Sequence, residues 1–290
     1  MAKLNTIDLE IQFVDVLGEM VQAYQEIYVV KMKKVRDRVI SNRNYMEGLT
    51  EVFGELKKAY AHEIKDKKKS VNERIFSLLN KKDKPVAVLL SAKRKLSGDI
   101  NHKVFGEFCS YLDDNPDADV VIVGSIGKEL YLQRGYTRQY RYFDLSEDQV
   151  SIQDLRPVLE YISDYEQTMI FYGKYSSLVT QKQMRSDLRG HKEIENIKED
   201  DRDRKYFLFE PTLEELLVFF ETQIFASLFK QTAHESYLAQ IGSRIQALQA
   251  ATSNIDNRKT YLSHESRKLM KRRRNKKQLQ NLAGMRLWTR

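Results

Sequence analysis

Stepping through the first sixty residues alternately by three and four from Leu4 lands on Leu4, Ile7, Ile11, Val14, Gly18, Val21, Gln25, Tyr28, Met32, Val35, Val39, Asn42, Met46, Leu49, Phe53, Leu56 and Tyr60. Fourteen of these seventeen positions are apolar or Tyr. A 3.5-residue apolar period sustained for about eight heptads predicts a helix packed along its whole length, not one lying on a globular surface. At ~1.5 Å per residue such a helix runs roughly 85 Å, so it requires a partner along its length.

From about residue 82 to 190 the period changes. The runs Val86–Leu90 and Val120–Val123 are β-branched and continuous, as in strands buried on both faces, and Thr168–Tyr172 is similar. Between them, Asn101–Leu112 and Ser151–Tyr165 have helical spacing, the first ending at the turn Asp113-Asp-Asn-Pro116. Strands alternating with helices imply a mostly parallel sheet with right-handed crossovers. Glu193–Arg204 reads as an exposed connector. Helical spacing then returns at Leu213, Leu217, Phe220, Ile224 and Leu228, and again at Leu238, Ile241, Ile245, Leu248 and Ile255. Thr212 is an N-cap candidate for that helix, with Glu214 and Glu215 in its first turn, and no Pro follows Pro211.

These patterns predict an α/β plus α fold: a long antiparallel coiled coil of the N- and C-terminal helices with an inserted Rossmann-like α/β domain. The expected domains are an N-terminal coiled-coil helix (1–75), the α/β domain (76–207), and a C-terminal coiled-coil helix with a basic tail (208–290).

Charge refines this picture. The 290 residues carry 49 Lys and Arg against 41 Asp and Glu, but from Arg267 to Arg290 there are ten basic residues and no acidic one. The other 266 residues have a net charge of −2. That excludes a uniformly basic coat for nucleic acid and leaves a positive field at one end. A single Cys, Cys109, excludes an internal disulfide framework and fits a reducing compartment. Asp8, Glu10, Asp15 and Glu19 argue against a signal or transit peptide in the first twenty residues. No apolar run approaches the ~20 residues of a membrane span, so membrane association is expected only through partners.

Little in the sequence points to chemistry. His62, His102, His191, His234 and His264 are scattered, without metal-ligand spacing. Gly124-Ser-Ile-Gly-Lys128 follows an expected strand but has neither phosphate-loop spacing, and it reads as a plain strand-to-helix turn. Asp113, Asp114, Asp117 and Asp119 lack calcium-loop spacing. No cofactor, metal or catalytic group is expected. The tail Lys271-Arg-Arg-Arg-Asn-Lys-Lys277 suits phosphate backbones, an acidic protein surface, or a solvated helix face. Without interleaved aromatic residues it is not a stacking platform for single strands.

Several motifs, in order, resemble those of the gamma subunit of F-type ATP synthases, over nearly the whole chain. Arg244-Ile-Gln-Ala-Leu-Gln-Ala-Ala-Thr-Ser-Asn254 is similar to the family's R-M-x-A-M-x-x-A-T-x-N. Phe209-Glu-Pro211 with Glu214–Leu217 is similar to Y-E-P-x-x-E-x-L-L, Tyr172–Gln181 to Y-N-K-F-x-S-x-x-T-Q, and Val123–Lys128 to the I-G-x-K-G turn. Met1-Ala2, Ile7, Ile11, Val14, Lys31 and Arg43-Asn-Tyr45 fall in the family's register. The family's S-D-x-G-L-C-G-G-x-N loop appears as Ser91–Asn101, one residue longer and with Ser97 for the Cys. The family's R-Q-A-x-I-T falls on Met270–Asn275.

The resemblance implies a diverged, non-catalytic rotor. Its coiled coil would sit inside a hexamer of alternating alpha and beta subunits, with catalysis on the beta subunits. An epsilon-like subunit and a membrane ring are further expected contacts, on the cytoplasmic side of a membrane. Lys271, Arg272, Arg273 and Arg274 would meet the catch loops of the catalytic subunits, with Lys31, Arg244, Gln249 and Asn254 as further partner contacts. The alternative reading is a coiled-coil adaptor that binds nucleic acid or an anionic surface through its basic tail.

Overall fold

The computed structural model describes residues 2–59, 82, 84–95, 97–145, 152–165, 167–177, 180–188 and 213–288. Helix residues expected between 60 and 75, the connector Glu193–Arg204 and the N-cap Thr212 lie outside them. The chain divides into two compact units, Lys31–Arg244 and Met1–Val30 with Ile245–Arg290.

Unit Lys31–Arg244 is built on a five-stranded sheet. Its strands are β1 (Val86–Leu90), β2 (Asp119–Val123), β3 (Tyr140–Phe143), β4 (Thr168–Tyr175) and β5 (Gln181–Asp187), in the spatial order β3-β2-β1-β4-β5. The first four are parallel; β5 runs antiparallel to β4 at the edge. Three helices connect the strands: α2 (Ile100–Asp114), α3 (Ser125–Gln133) and α4 (Ile152–Ser163). Two long helices complete the chain, α1 (Ala2–Ala59) and α5 (Leu213–Trp288).

The continuous apolar strands are explained by cover on both sides of the sheet. On one face Val86, Val88, Leu90, Val121, Val123 and Ile170 pack with Leu155, Val158 and Ile162 of α4 and with Phe229 and Ala233 of α5. On the other, Ala87, Leu89, Val120, Ile122 and Phe171 pack with Val104, Phe108 and Leu112 of α2 and Tyr131 of α3. Consecutive strand residues thus supply opposite cores, as the two-residue period of a strand requires.

Within this unit α1 buries Met32, Val35, Val39, Asn42, Met46 and Phe53, all seam positions. Asn42 Nδ2 donates to the Ser227 carbonyl at 3.4 Å and Arg43 faces Glu235 at 3.7 Å, which lays α1 against α5. Between the sheet and α1, α5 is buried nearly all round from Thr232 to Arg244. Some of its polar residues there are satisfied within the helix: Thr232 Oγ1 donates to the Leu228 carbonyl, and Gln240 Nε2 to Ser236 Oγ, whereas the Ser243 hydroxyl is buried without a hydrogen-bond partner.

The loop Ser91–Asn101 closes on itself and on α5. Asn101 Oδ1 accepts the Ala92 N–H, and Asn101 Nδ2 donates to Ser97 Oγ, the hydroxyl standing where the family pattern has Cys. Gly98 has a φ of 65°, and a Cβ there would overlap the Ser243 side chain, so glycine is required. Arg244, only 1% exposed, donates from Nη2 to the carbonyls of Arg94 and Lys95 at 2.9 and 3.3 Å.

In the other unit, the first thirty residues of α1 run antiparallel to α5 from Ile245 on. Ile7, Val14 and Leu262 form a buried cluster flanked by Ile11, Ile255 and Leu269. Gly18 lies opposite Ile255, where a Cβ would just touch it at 3.5 Å. Arg258 pairs with Glu10, Lys259 Nζ lies 2.6 Å from Asp15, and Ser266 Oγ donates to Asp8. These exposed pairs fix register more than they stabilise.

Two predictions follow from the packing around Arg244 and His234. Arg244→Met would leave two loop carbonyls without their donor and should cost about 2–4 kcal/mol in urea unfolding; Arg244→Lys should recover only part of it, because its shorter stem ends in a compact, strongly hydrated ammonium. His234 is buried, and that burial, together with Lys230 and Arg38, lowers its pKa from 6.5 to about 4. The unfolded chain therefore takes up the proton first, and stability should fall as pH drops from about 6.5 to about 4, by roughly 3 kcal/mol at most. His234→Gln should flatten that slope.

Candidate functional site

The surface that distinguishes this chain is the outside of its helix pair and the tip of α5. Leu269 still packs in the Ile7 cluster, but from Met270 to Ala283 every residue of α5 is exposed. At ~100° per residue, Lys271, Arg272, Arg273 and Arg274 point in four directions around the axis, and Lys276 and Lys277 fill the gaps between them. The positive charge encircles the helix instead of marking one side.

The eight residues expected to meet partners fall in three places. Lys271 to Arg274 are exposed together on the tip. Gln249 and Asn254 are exposed on α5 in the same unit, but about 140° apart around the helix, so they do not share one face. Lys31 and Arg244 belong to the other unit, half-buried and buried respectively.

The carboxyl ends of the parallel strands are where α/β sheets usually bind ligands. A small open cleft lies there, lined by Leu90, Ser91, Val123, Gly124, Tyr237 and Gln240 among others. Its turn is a closed piece of structure. Gly124 has a φ of 94°, and a Cβ there would lie 2.3 Å from the Ser91 carbonyl oxygen. Ser91 Oγ donates to the Val123 carbonyl and accepts the Gly127 N–H, both at 2.8 Å, while the Ile126 N–H goes to the Ala92 carbonyl. The amides that would cradle a phosphate are therefore spent on the neighbouring loop, and Lys128 Nζ sits over the Tyr142 ring at 5.1 Å. At the cleft mouth Lys93 and Asp144 pair at 2.6 Å.

No group of three or more His, Cys, Asp or Glu among the described residues could hold a metal ion. Burial pushes the Cys109 thiol up, away from the reactive thiolate. Tyr172 is likewise pushed up to about 12, by burial and the nearby Glu235.

Two features escaped the sequence reading. One is the structural task of Arg244, which shows only as a motif letter. The other is a second apolar stripe on α1, Leu9, Phe13, Val16, Met20, Ala23, Ile27 and Val30, all exposed. Counting by three and four from Leu9 instead of Leu4 finds it.

Comparison with known proteins agrees with this anatomy. The family model for ATP synthase matches residues 3–273. The chain is 24% identical over 269 residues to the ATP synthase gamma chain of Haemophilus ducreyi, covering 88% of each. It is 20% identical over 266 residues to that of Protochlamydia amoebophila, covering 89% of each. Its fold is similar to a chain of the Euglena gracilis mitochondrial ATP synthase, in the OSCP/F1/c-ring structure of rotational state 3, with a TM-score of 0.64 and 16% identity over 98% of this chain and 94% of that one. With both helical arms and the sheet domain spanned by one family model, the chain belongs to the gamma-chain family of ATP synthase.

Proposed function

We propose that this chain is the central-stalk rotor subunit of an F-type or variant F-type rotary ATPase. It would couple ATP synthesis or hydrolysis in a surrounding hexamer of alpha and beta subunits to rotation, and so to ion transport or other mechanical work. The observation that carries the reading is the family match from residue 3 to 273, which includes both helical arms and the first basic residues of the tip. In this reading the chain is non-catalytic, and the nucleotide chemistry resides on the beta subunits.

The physical features fit that work. A shaft needs length and stiffness, supplied by helices of 58 and 76 residues packed along their seams. It also needs an asymmetric surface, so that each orientation favours a different nucleotide state in the subunits around it. Here α1 has five acidic residues and no Lys or Arg between Asn5 and Val30, whereas Ile245–Leu269 of α5 beside it has four basic and two acidic ones, so the pair is electrically unequal around its axis. No helix among the described residues is long and apolar enough to cross a membrane, and attachment would run through the membrane ring and an epsilon-like subunit. The similarity to ATP synthase gamma chains does not support the alternative, an adaptor for nucleic acid or an anionic surface.

We assign the torque-bearing contacts to Lys271, Arg272, Arg273 and Arg274, engaging acidic loops of the catalytic subunits, with Lys31, Arg244, Gln249 and Asn254 as supporting positions. Partly desolvated charge pairs of this kind are stronger than exposed ones. Lys271→Glu with Arg272→Glu should slow ATP-driven rotation of the reconstituted complex about tenfold, the effect of losing about 1.4 kcal/mol at the limiting step. Unchanged hydrolysis and torque would remove these residues from the drive.

A further inference from the structure

From Tyr131 to Phe143 the chain reads Tyr-Leu-Gln-Arg-Gly-Tyr-Thr-Arg-Gln-Tyr-Arg-Tyr-Phe, with four Tyr, three Arg and no Asp, Glu or Lys. This stretch holds the end of α3, the turn after it and the whole of β3, which forms one edge of the sheet. No strand among the described residues pairs with the outer side of β3. The Phe143 carbonyl accepts the Gly124 N–H, on the side of β2. Backbone groups alternate sides along a strand, so those of Arg141 also face β2, and those of Tyr140 and Tyr142 point off the edge.

Interleaved Arg and Tyr suit a single-stranded nucleic acid where the ring faces are free. Here the rings are spent within the protein. Tyr131 is fully buried; Tyr136 stacks on it at 5.0 Å and Tyr140 meets it edge-on at 5.2 Å. Tyr142 lies under the Lys128 ammonium at 5.1 Å. What the edge offers is therefore main chain flanked by charge. Arg138 donates to the Leu112 and Asn115 carbonyls at the end of α2, but Arg134 and Arg141 stay exposed, Arg141 on β3 itself and over the Tyr161 ring at 5.9 Å.

An open strand edge takes another extended segment through main-chain hydrogen bonds. Charge selects which one. Two copies of β3 side by side would bring Arg141 close to its own counterpart, so this cation guards the edge against self-pairing. An acidic segment reverses that sign and makes the same cation a selector. The one acid that follows β3, Asp144, is already held by Lys93. The opposite edge, β5, mixes Lys182 and Arg185 with Asp187 and so carries no comparable selection.

We propose that the outer edge of β3 takes an extended, acidic segment of a partner protein as a further strand of the sheet, held by the main chain of Tyr140 and Tyr142 and selected by Arg141 and Arg134. This contact goes beyond the rotor reading and does not depend on it. It is separate from attachment through a membrane ring and an epsilon-like subunit.

Photocrosslinking and hydrogen exchange on the native assembly test this. Benzoylphenylalanine replaces Thr137 or Gln139 of the full chain, both exposed beside β3, with Gln153, exposed on α4, as the control position. The expected adducts map to one acidic segment of one partner, and the Tyr140 and Tyr142 amides exchange slowly. Arg134→Glu with Arg141→Glu should cut adduct yield and speed exchange at those two amides, each at least tenfold, while protection in β1 and β2 stays unchanged because the sheet still folds. Arg134→Lys with Arg141→Lys should keep most of the yield. Adducts removed by nuclease, adducts to a second copy, to a membrane ring or to an epsilon-like subunit, yields no higher than at Gln153, or yield and exchange indifferent to the charge reversal would each overturn the proposal. Absence of ATPase subunits from the purified assembly would instead sink the rotor reading and leave this one standing.

Discussion

A helix of 58 residues does not hold itself straight in water on its backbone hydrogen bonds, since most helical stability in proteins comes from packing an apolar face. For α1 that face is the seam from Ile7 to Phe53. Every position of it within the described side chains is buried or half-buried, including the two polar steps, Gln25 and Asn42. At about 1.5–3 kcal/mol for each large aliphatic side chain taken from water, the seam outweighs any other single source of order in the helix. The sheet, the loop after β1 and the basic tip all hang on α5, the helix that covers this seam.

Such dependence explains why α5 tolerates so much polar character where it is most enclosed. Ser236, Gln240, Ser243 and Arg244 are buried, yet the helix stays intact because small hydroxyls and a side-chain amide fit the tight approach of sheet and α1. Arg244 takes the remaining room and turns it to use, tying down the Ser91–Asn101 loop by two carbonyls. Family motif and packing thus meet in one residue. Its buried position makes it a holder of structure.

Much of the fold was legible because burial on both faces writes itself into composition. β1, β2 and β4 stand out as unbroken apolar runs since helices cover both sides of the sheet. β3, Tyr-Arg-Tyr-Phe, and β5, Gln-Lys-Gln-Met-Arg-Ser-Asp, went unseen because edge strands keep a wet side and carry no such run. The tip was legible as charge, but only its helical continuation shows that the charge surrounds the axis. The outer seam of α1 was in the sequence throughout, hidden by the stronger seam that shares its period. What no pattern in one chain reveals is the chemistry of the surface on the other side of a contact.

A shaft is defined by what surrounds it. A rotor of this kind therefore sits singly inside a ring of larger ATPase subunits. Native mass spectrometry of the assembly purified through this chain measures that directly. The expected composition is one copy of this chain with about three copies each of two P-loop ATPase subunits, as a closed alternating ring requires. An assembly without such subunits, or one in which they match this chain one for one, would contradict it.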